Sequence, residues 1–284
     1  MFEIIEKAPA KINLGLNVIG KRADGYHDLE MVMTSIDLSD IVSVRETADG
    51  AISLAINNGN SLPLDDRNHV YLAAKILREK FGITSGVEIE LDKKIPIQAG
   101  LAGGSSDAAA TLRALNELWK LDLSLEELAK IGEEIGSDVP YCVYSKTAFV
   151  TGRGENVELM APMMPSWVVL IKPDFGVSTK DIFEALKPEQ YNDVACAKIR
   201  EAVEVADYDA LTAAMGNTLE DVTIKLYPVI EKIKETAIDN GATAAMMSGS
   251  GPSVFAICKT ENQAKRVYSS VKGYCKDVYM VRSL

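Results

Sequence analysis

Apolar and polar residues alternate from the first positions of the chain. Phe2-Glu3-Ile4-Ile5-Glu6 and Lys11-Ile12-Asn13-Leu14-Gly15-Leu16-Asn17-Val18 have the period of two strands. In the second, Ile12, Leu14, Leu16 and Val18 share one face. Lys11, Asn13, Gly15 and Asn17 share the other, which reads as solvated. Residues 29–58 continue as strands and turns, with apolar runs at 41–44 and 52–56. The period then changes. Val70, Ala73, Ala74 and Leu77 follow helical spacing, with Asn68 as a cap before them and Gly82 after Phe81. Val87–Leu91 returns to a strand. Leu112, Leu115 and Trp119 predict a helix from Ser106 to about Leu121, and Ser124 with Glu127 predicts a capping box for one that stops at Gly136. Pro140 should then hold Val139 extended, leaving Asp138 on a turn.

The second half opens with a strand at Trp167–Ile171 and a helix carrying Ile182, Phe183 and Leu186. Amphipathic helices follow at about 192–205, 207–215, 218–225 and 228–239. Two apolar runs flank Ser248-Gly249-Ser250-Gly251 as strand, tight loop and strand. A helix from Glu261 and a strand at Val278–Val281 complete an α+β pattern, and Gly152-Arg153-Gly154 marks a boundary between residues 1–155 and 156–284.

Between the strand at 87–91 and the helix after it lies Pro96-Ile97-Gln98-Ala99-Gly100-Leu101-Ala102-Gly103-Gly104-Ser105-Ser106-Asp107, a loop almost without side-chain bulk. Ser105 or Ser106 is a natural cap. The loop therefore ends in unpaired N–H groups at the positive end of a helix, where an oligophosphate can reach amides that no Cβ shields. An ordinary glycine turn would look similar, but the density of small residues favours phosphate. No Lys-Ser or Lys-Thr follows at Walker A spacing, and the dinucleotide fingerprint is absent.

Composition narrows the class. The 284 residues are 47% hydrophobic and 25% charged, as in a soluble globular protein. A net charge of −11 argues against a general nucleic-acid or membrane-surface binder. The four cysteines are scattered, as expected of buried thiols in a reducing cytosol. No signal peptide or bilayer-spanning run is visible, which points to the cytoplasm. With only His27 and His69, a histidine-rich metal site is not expected.

The loop resembles the Pro-x-x-x-Gly-Leu-(Gly/Ala)-(Gly/Ser)-Ser-Ser motif of the GHMP kinases, a superfamily of small-molecule kinases. Pro9-Ala10-Lys11-Ile12-Asn13-Leu14, followed by Arg22-Ala23-Asp24-Gly25-Tyr26-His27, is similar to the branch that phosphorylates a cytidine-diphosphate alcohol for isoprenoid synthesis. The resemblance implies a two-domain α+β fold: an N-terminal mixed sheet-and-helix nucleotide domain, a C-terminal α/β sandwich, and an active site in the cleft between them. It implies ATP as co-substrate, with Mg²⁺ whose protein ligands it does not name. Pro96 to Ser106, together with Asn68 and Lys93, would bind ATP, and Ser248, Gly249, Ser250 and Gly251 would close on the phosphates. Asp138 would accept the acceptor hydroxyl's proton and Lys11 would steady the charge. Asn13, Tyr26, His27, Thr179 and Phe183 would hold the substrate. Locally, Asn68 is equally a plain cap and Phe183 equally a core residue. Another GHMP kinase, of homoserine or mevalonate type, would share the loops without needing Tyr26-His27; a non-catalytic ATP sensor is a further alternative. Ala102 and Asp107 depart slightly from the pattern, and a carboxylate at 107 must point aside or touch the metal.

Overall fold

Two long strands open the computed structural model, which describes residues 3–58, 62–191 and 193–284. Phe2 of the first predicted strand and Asn192 at the start of a predicted helix lie outside the described residues. In chain order the elements begin with β1 (Glu3–Lys21), β2 (His27–Thr47), β3 (Ile52–Asn57), α1 (His69–Phe81), β4 (Gly86–Asp92), α2 (Gly103–Leu118), α3 (Leu125–Gly132) and α4 (Val139–Tyr144). They continue with β5 (Ala148–Gly152), β6 (Asn156–Leu159), β7 (Trp167–Lys172), α5 (Thr179–Ala185), α6 (Cys196–Glu204), α7 (Tyr208–Ala214), β8 (Gly216–Asn217) and α8 (Glu220–Leu226). The last are α9 (Val229–Asp239), β9 (Ala244–Met247), β10 (Val254–Cys258), α10 (Glu261–Lys272) and β11 (Asp277–Arg282). The chain is α+β, as the alternation of periods predicts.

These elements gather into two compact units, each assembled from separate stretches of chain. The first holds the chain to Ala10, Leu38–Ile95 and Ala102–Ser145. Here β2 pairs antiparallel with β4, from Ile41 opposite Asp92 to Thr47 opposite Gly86, and β3 runs parallel to β4 on its other side. Helices α1 and α2 pack together, and α2 and α3 both pack on α4. Val42, Val44, Leu77, Ile89, Leu91, Leu112 and Leu115 are fully buried, and their burial drives this assembly. Three caps are the predicted ones: Asn68 Oδ1 accepts from Val70 N, Gly82 closes α1 at φ 64°, and Ser124 and Glu127 form a complete capping box, although α3 ends at Gly132, short of the predicted Gly136.

The second unit holds Lys11–Asp37, Pro96–Leu101 and Lys146–Leu284. The start of β2 pairs antiparallel with β5, and β5 with β6. β8 runs parallel to β1, with Gly216 opposite Gly15 and Asn217 opposite Leu16. A separate antiparallel sheet has the order β11-β7-β10-β9, covered by α9 and α10. Every residue of β10 is buried. Among the described residues no helix is long and apolar enough to cross a membrane. Cys142, Cys196, Cys258 and Cys275 are buried thiols.

Three local expectations are corrected. The two N-terminal strands are one, β1, and Pro9 lies inside it; the polar face predicted to be solvated is buried, with Lys11 at 5% exposure and Asn13 at 0%. Burial of both faces of β1 overrides its alternation. Helix α2 starts at Gly103 and not at the serines: Ala102 is its cap, and Ser106 Oγ donates to Pro9 O at 2.7 Å. Val139 is helical. Pro140 stands in the first turn of α4, where its missing N–H has no partner to lose.

Candidate active site

In the first unit the glycine loop ends at the opening turn of α2. A Cβ on Gly103 would meet Ile95 Cγ2 at 3.1 Å and Lys93 Nζ at 3.5 Å. A side chain at 103 would therefore crowd what lies beneath the helix start, and Ile95 would have to give by a few tenths of an ångström. Ala102 has φ 54° and ψ 31°, a left-handed conformation that a Cβ disfavours. Ala102→Gly should raise stability by about 0.5–1 kcal/mol. Urea unfolding measures this, and a destabilised variant would mean that Ala102 does not keep its positive φ in solution.

Lys93 is 7% exposed and its ammonium lies between two carboxylates, Asp40 and Asp107, at 2.6 Å from Asp107 Oδ2. Burial opposes its charge, but the two carboxylates outweigh that and raise its pKa. Asp40 also accepts from Lys94 N at 2.5 Å and Ile95 N at 2.8 Å, fixing the chain just before Pro96. Burial, opposed by Lys93 and reinforced by Asp40, holds the Asp107 carboxyl well above the usual carboxylate range. Asp107 thus points aside into the protein. Asn68 has both ends of its amide engaged, accepting from Val70 N at 3.0 Å and donating to Pro63 O at 2.9 Å. Asp138 is half-buried at the start of α4, where its side chain does not cap the helix. His69, half-buried at the head of α1 near Gly104, has its pKa lowered by desolvation.

In the second unit Lys11 Nζ donates to Asn13 Oδ1 at 2.6 Å, and Lys11 N donates to Leu101 O at 3.2 Å. The strand residue that resembles a catalytic lysine is thereby tied to the loop Pro96–Leu101. In that loop Gln98 and Gly100 have positive φ, 52° and 73°. A Cβ on Gly100 would sit 2.1 Å from Ser248 O, so only glycine admits the second loop this closely. Ser248 Oγ donates to Gly100 O at 2.9 Å, and a Cβ on Gly249 would lie 3.5 Å from Lys11 Nζ. The two glycine loops and Lys11 thus converge. Thr179, first residue of α5, shares a 2.8 Å hydrogen bond with Ser250 Oγ.

Tyr26 is 55% exposed, with the Arg153 guanidinium 5.2 Å from its ring centroid. His27 is 8% exposed, stacks on Phe183 at 5.0 Å and meets Tyr191 edge-on at 6.3 Å. Burial lowers its pKa, so the ring favours the neutral form. Tyr26 and Phe183 thus differ in setting: one ring is open, the other already stacked. From the sequence, Arg153 reads only as part of a boundary turn, and Asp40, Tyr191 and Asn217 are not expected at the site. Only Asp40 carried a local signal, an acid ending the run Ile36-Asp37-Leu38-Ser39-Asp40.

Residues 68–146 match the GHMP kinases N terminal domain and residues 199–277 the GHMP kinases C terminal domain. The fold and the paired glycine loops therefore define a GHMP kinase. The 4-diphosphocytidyl-2-C-methyl-D-erythritol kinase of Exiguobacterium sibiricum is 52% identical over 281 residues, 99% of this chain and 98% of the relative. The kinase of the same name from Enterococcus faecalis is 47% identical over 282 residues, 99% of each chain. A crystal structure of 4-(cytidine 5'-diphospho)-2C-methyl-D-erythritol kinase aligns with a TM-score of 0.84 at 30% identity, covering 99% of both chains. The chain belongs to this family of GHMP kinases.

Proposed function

We propose that this protein is an ATP-dependent kinase that phosphorylates the 2-hydroxyl of 4-diphosphocytidyl-2-C-methyl-D-erythritol, giving the 2-phosphate and ADP, in non-mevalonate isoprenoid precursor synthesis. The observation that carries the reading is identity near one half with relatives of that name across practically the full length of both chains. Residues 1–155 form the nucleotide-side domain and 156–284 the C-terminal domain in this proposal, and the enzyme works in the cytoplasm on a small molecule.

Phosphoryl transfer needs positioning and charge stabilisation more than covalent chemistry. The backbone amides of Gly100 to Ser106 hold the β- and γ-phosphates, and Ser248 to Gly251 close on them; the positive φ of Gly100, Gly249 and Gly251 supports this backbone-made design. Asp138 accepts the hydroxyl proton, and Lys11 steadies the charge shared by that carboxylate and the transferring group. Lys93 serves the nucleotide side by bracing the strand end and the helix start around the loop, and Asn68, the cap of α1, lies on the same side. Asn13 and Thr179 orient the acceptor, and Tyr26, His27 and Phe183 recognise the cytosine. Among the described residues no three His, Cys, Asp or Glu side chains cluster as a metal site. Mg²⁺ arriving with the nucleotide would neutralise oligophosphate charge.

The test is a panel of acceptors with ATP: the cytidine alcohol, homoserine and mevalonate, followed by ADP release and phosphorus NMR of the product. Turnover confined to the cytidine alcohol is expected. Preference for another acceptor, or tight ATP binding without any turnover, would replace this reading.

Tyr26→Ala isolates base recognition, because an exposed ring contributes little to the fold. Loss of a stacking platform worth about 1–3 kcal/mol should raise KM for the cytidine substrate about 5- to 150-fold. KM for ATP and the melting temperature should stay close to wild type. Parallel rises in both KM values would take Tyr26 out of base recognition.

A further inference from the structure

Asn217 lies in β8, whose parallel pairing with β1 at Gly15 and Leu16 anchors it to the strand of Lys11 and Asn13. Thr218 extends the attachment: its N–H donates to Leu16 O at 2.9 Å, and its Oγ1 accepts from Val18 N at 3.2 Å. From this fixed base the Asn217 side chain, 6% exposed, reaches the second glycine loop. Its Nδ2 donates to Met247 O at 2.9 Å and to Gly249 O at 2.8 Å, while its Oδ1 accepts from Leu219 N at 3.0 Å. Both protons and the oxygen of the amide are used. The two carbonyls it holds flank Ser248, the residue whose Oγ donates to Gly100 O. Glu220, one turn further, accepts from Met247 N at 2.8 Å.

The chemistry selects asparagine. Two buried carbonyl oxygens converge on one point and need two donors from a short side chain, with an acceptor on its other branch for Leu219. A carboxylate of the same shape offers no donor and would face both oxygens with negative charge. We infer that Asn217 is a positioning residue: it locks the Ser248 loop in register with Gly100 and Lys11, so that the phosphate side of the site is assembled before ATP arrives. This rests on the reading, proposed above, that the Ser248–Gly251 loop acts on phosphates.

Asn217→Asp in the full-length protein is the test, since it keeps shape and the Leu219 acceptor and removes both donors. The affinity for a non-hydrolysable ATP analogue is measured by calorimetry without acceptor, alongside steady-state kinetics for both substrates. Because displacement of a positioning group by an ångström costs on the order of 10²-fold, kcat/KM for ATP and analogue affinity should fall roughly 10- to 100-fold. KM for the cytidine alcohol should change less than about twofold. Lowering the pH towards about 6 should restore part of the analogue affinity in the variant and none in wild type, because a buried aspartic acid regains one donor when protonated. If Asn217→Asp does not fold, Asn217→Ser, which retains a single donor, should still lose ATP affinity selectively. Unchanged ATP parameters, or equal losses for both substrates, would overturn the inference. A wild-type protein that binds the analogue but does not phosphorylate the cytidine alcohol would instead overturn the functional reading. Asn217 would then still be judged by analogue affinity alone.

Discussion

Asp138→Asn should yield a folded protein that binds both substrates and turns over roughly 10²–10⁴-fold more slowly. The fold is spared for a local reason. The start of α4 is set by Pro140 in its first turn and by Val139 N donating to Gly136 O at 3.1 Å, and the Asp138 side chain does not cap the helix. Asparagine keeps the size and is as good a turn residue, so a merely local role predicts unchanged activity and melting temperature. Proton acceptance is what the amide lacks. Lys11 sharpens the test. If Lys11 acts by balancing the charge that Asp138 gathers, Lys11→Met should cost little more in the Asp138→Asn background than Asp138→Asn costs alone. Steady-state kcat settles this on protein whose mass excludes deamidation back to aspartate. Near-normal turnover would leave a kinase that works by positioning alone.

What the sequence made legible was local chemistry. Asn68 and Gly82 bound α1, and Ser124 with Glu127 opens α3, because caps are satisfied by neighbours a few residues away. The hairpin of β9 and β10 around Ser248–Gly251 could be read from two apolar runs for the same reason. Burial is not local. Lys11, Asn13 and Asn17 alternate as a solvated face does, and only the elements packed on β1 from distant parts of the chain make them interior. The positive φ of Ala102 is hidden likewise, since Ser105 and Ser106 look like better caps until Ser106 is seen bonded to Pro9. Function divides along the same line. The paired glycine loops are visible as composition, and their interlocking at Gly100 and Ser248 follows from the fold. The roles proposed for Lys11 and Asp138 rest on family resemblance, because neither spacing nor alternation distinguishes them from an ordinary strand lysine and turn aspartate. Asn217 gave no signal towards the loop: the carbonyls it holds, Met247 O and Gly249 O, lie 30 and 32 residues further along the chain.

The two carboxylates around Lys93 should respond very unequally to the same change. Asp40→Asn should destabilise the protein by about 3 kcal/mol, whereas Asp107→Asn should cost less than about 1 kcal/mol at neutral pH. Asp40 is fully buried and receives three N–H groups, from Lys93, Lys94 and Ile95. An amide there can accept some of these donors, but its own NH₂ must then face the Lys93 ammonium in a dry interior. Asp107 meets Lys93 through Oδ2 while its other oxygen is buried without a partner, a poor setting for a full negative charge. One ammonium cannot balance two buried carboxylates, and it is Asp107 whose pKa is raised well above its ordinary value. The sign follows. The unfolded chain releases the Asp107 proton near about pH 4, and the folded chain keeps it to higher pH. Its contribution to stability is therefore complete below that pH and is lost as pH rises through the folded value. Asp107→Asn carries no such proton, so its stability relative to wild type should improve as pH rises from about 5 to 8. Denaturant unfolding of both variants across that range checks the pair. Equal losses for Asp40→Asn and Asp107→Asn, independent of pH, would show that the two carboxylates share the Lys93 charge evenly and that neither is the anchor of the strand end leading into the glycine loop.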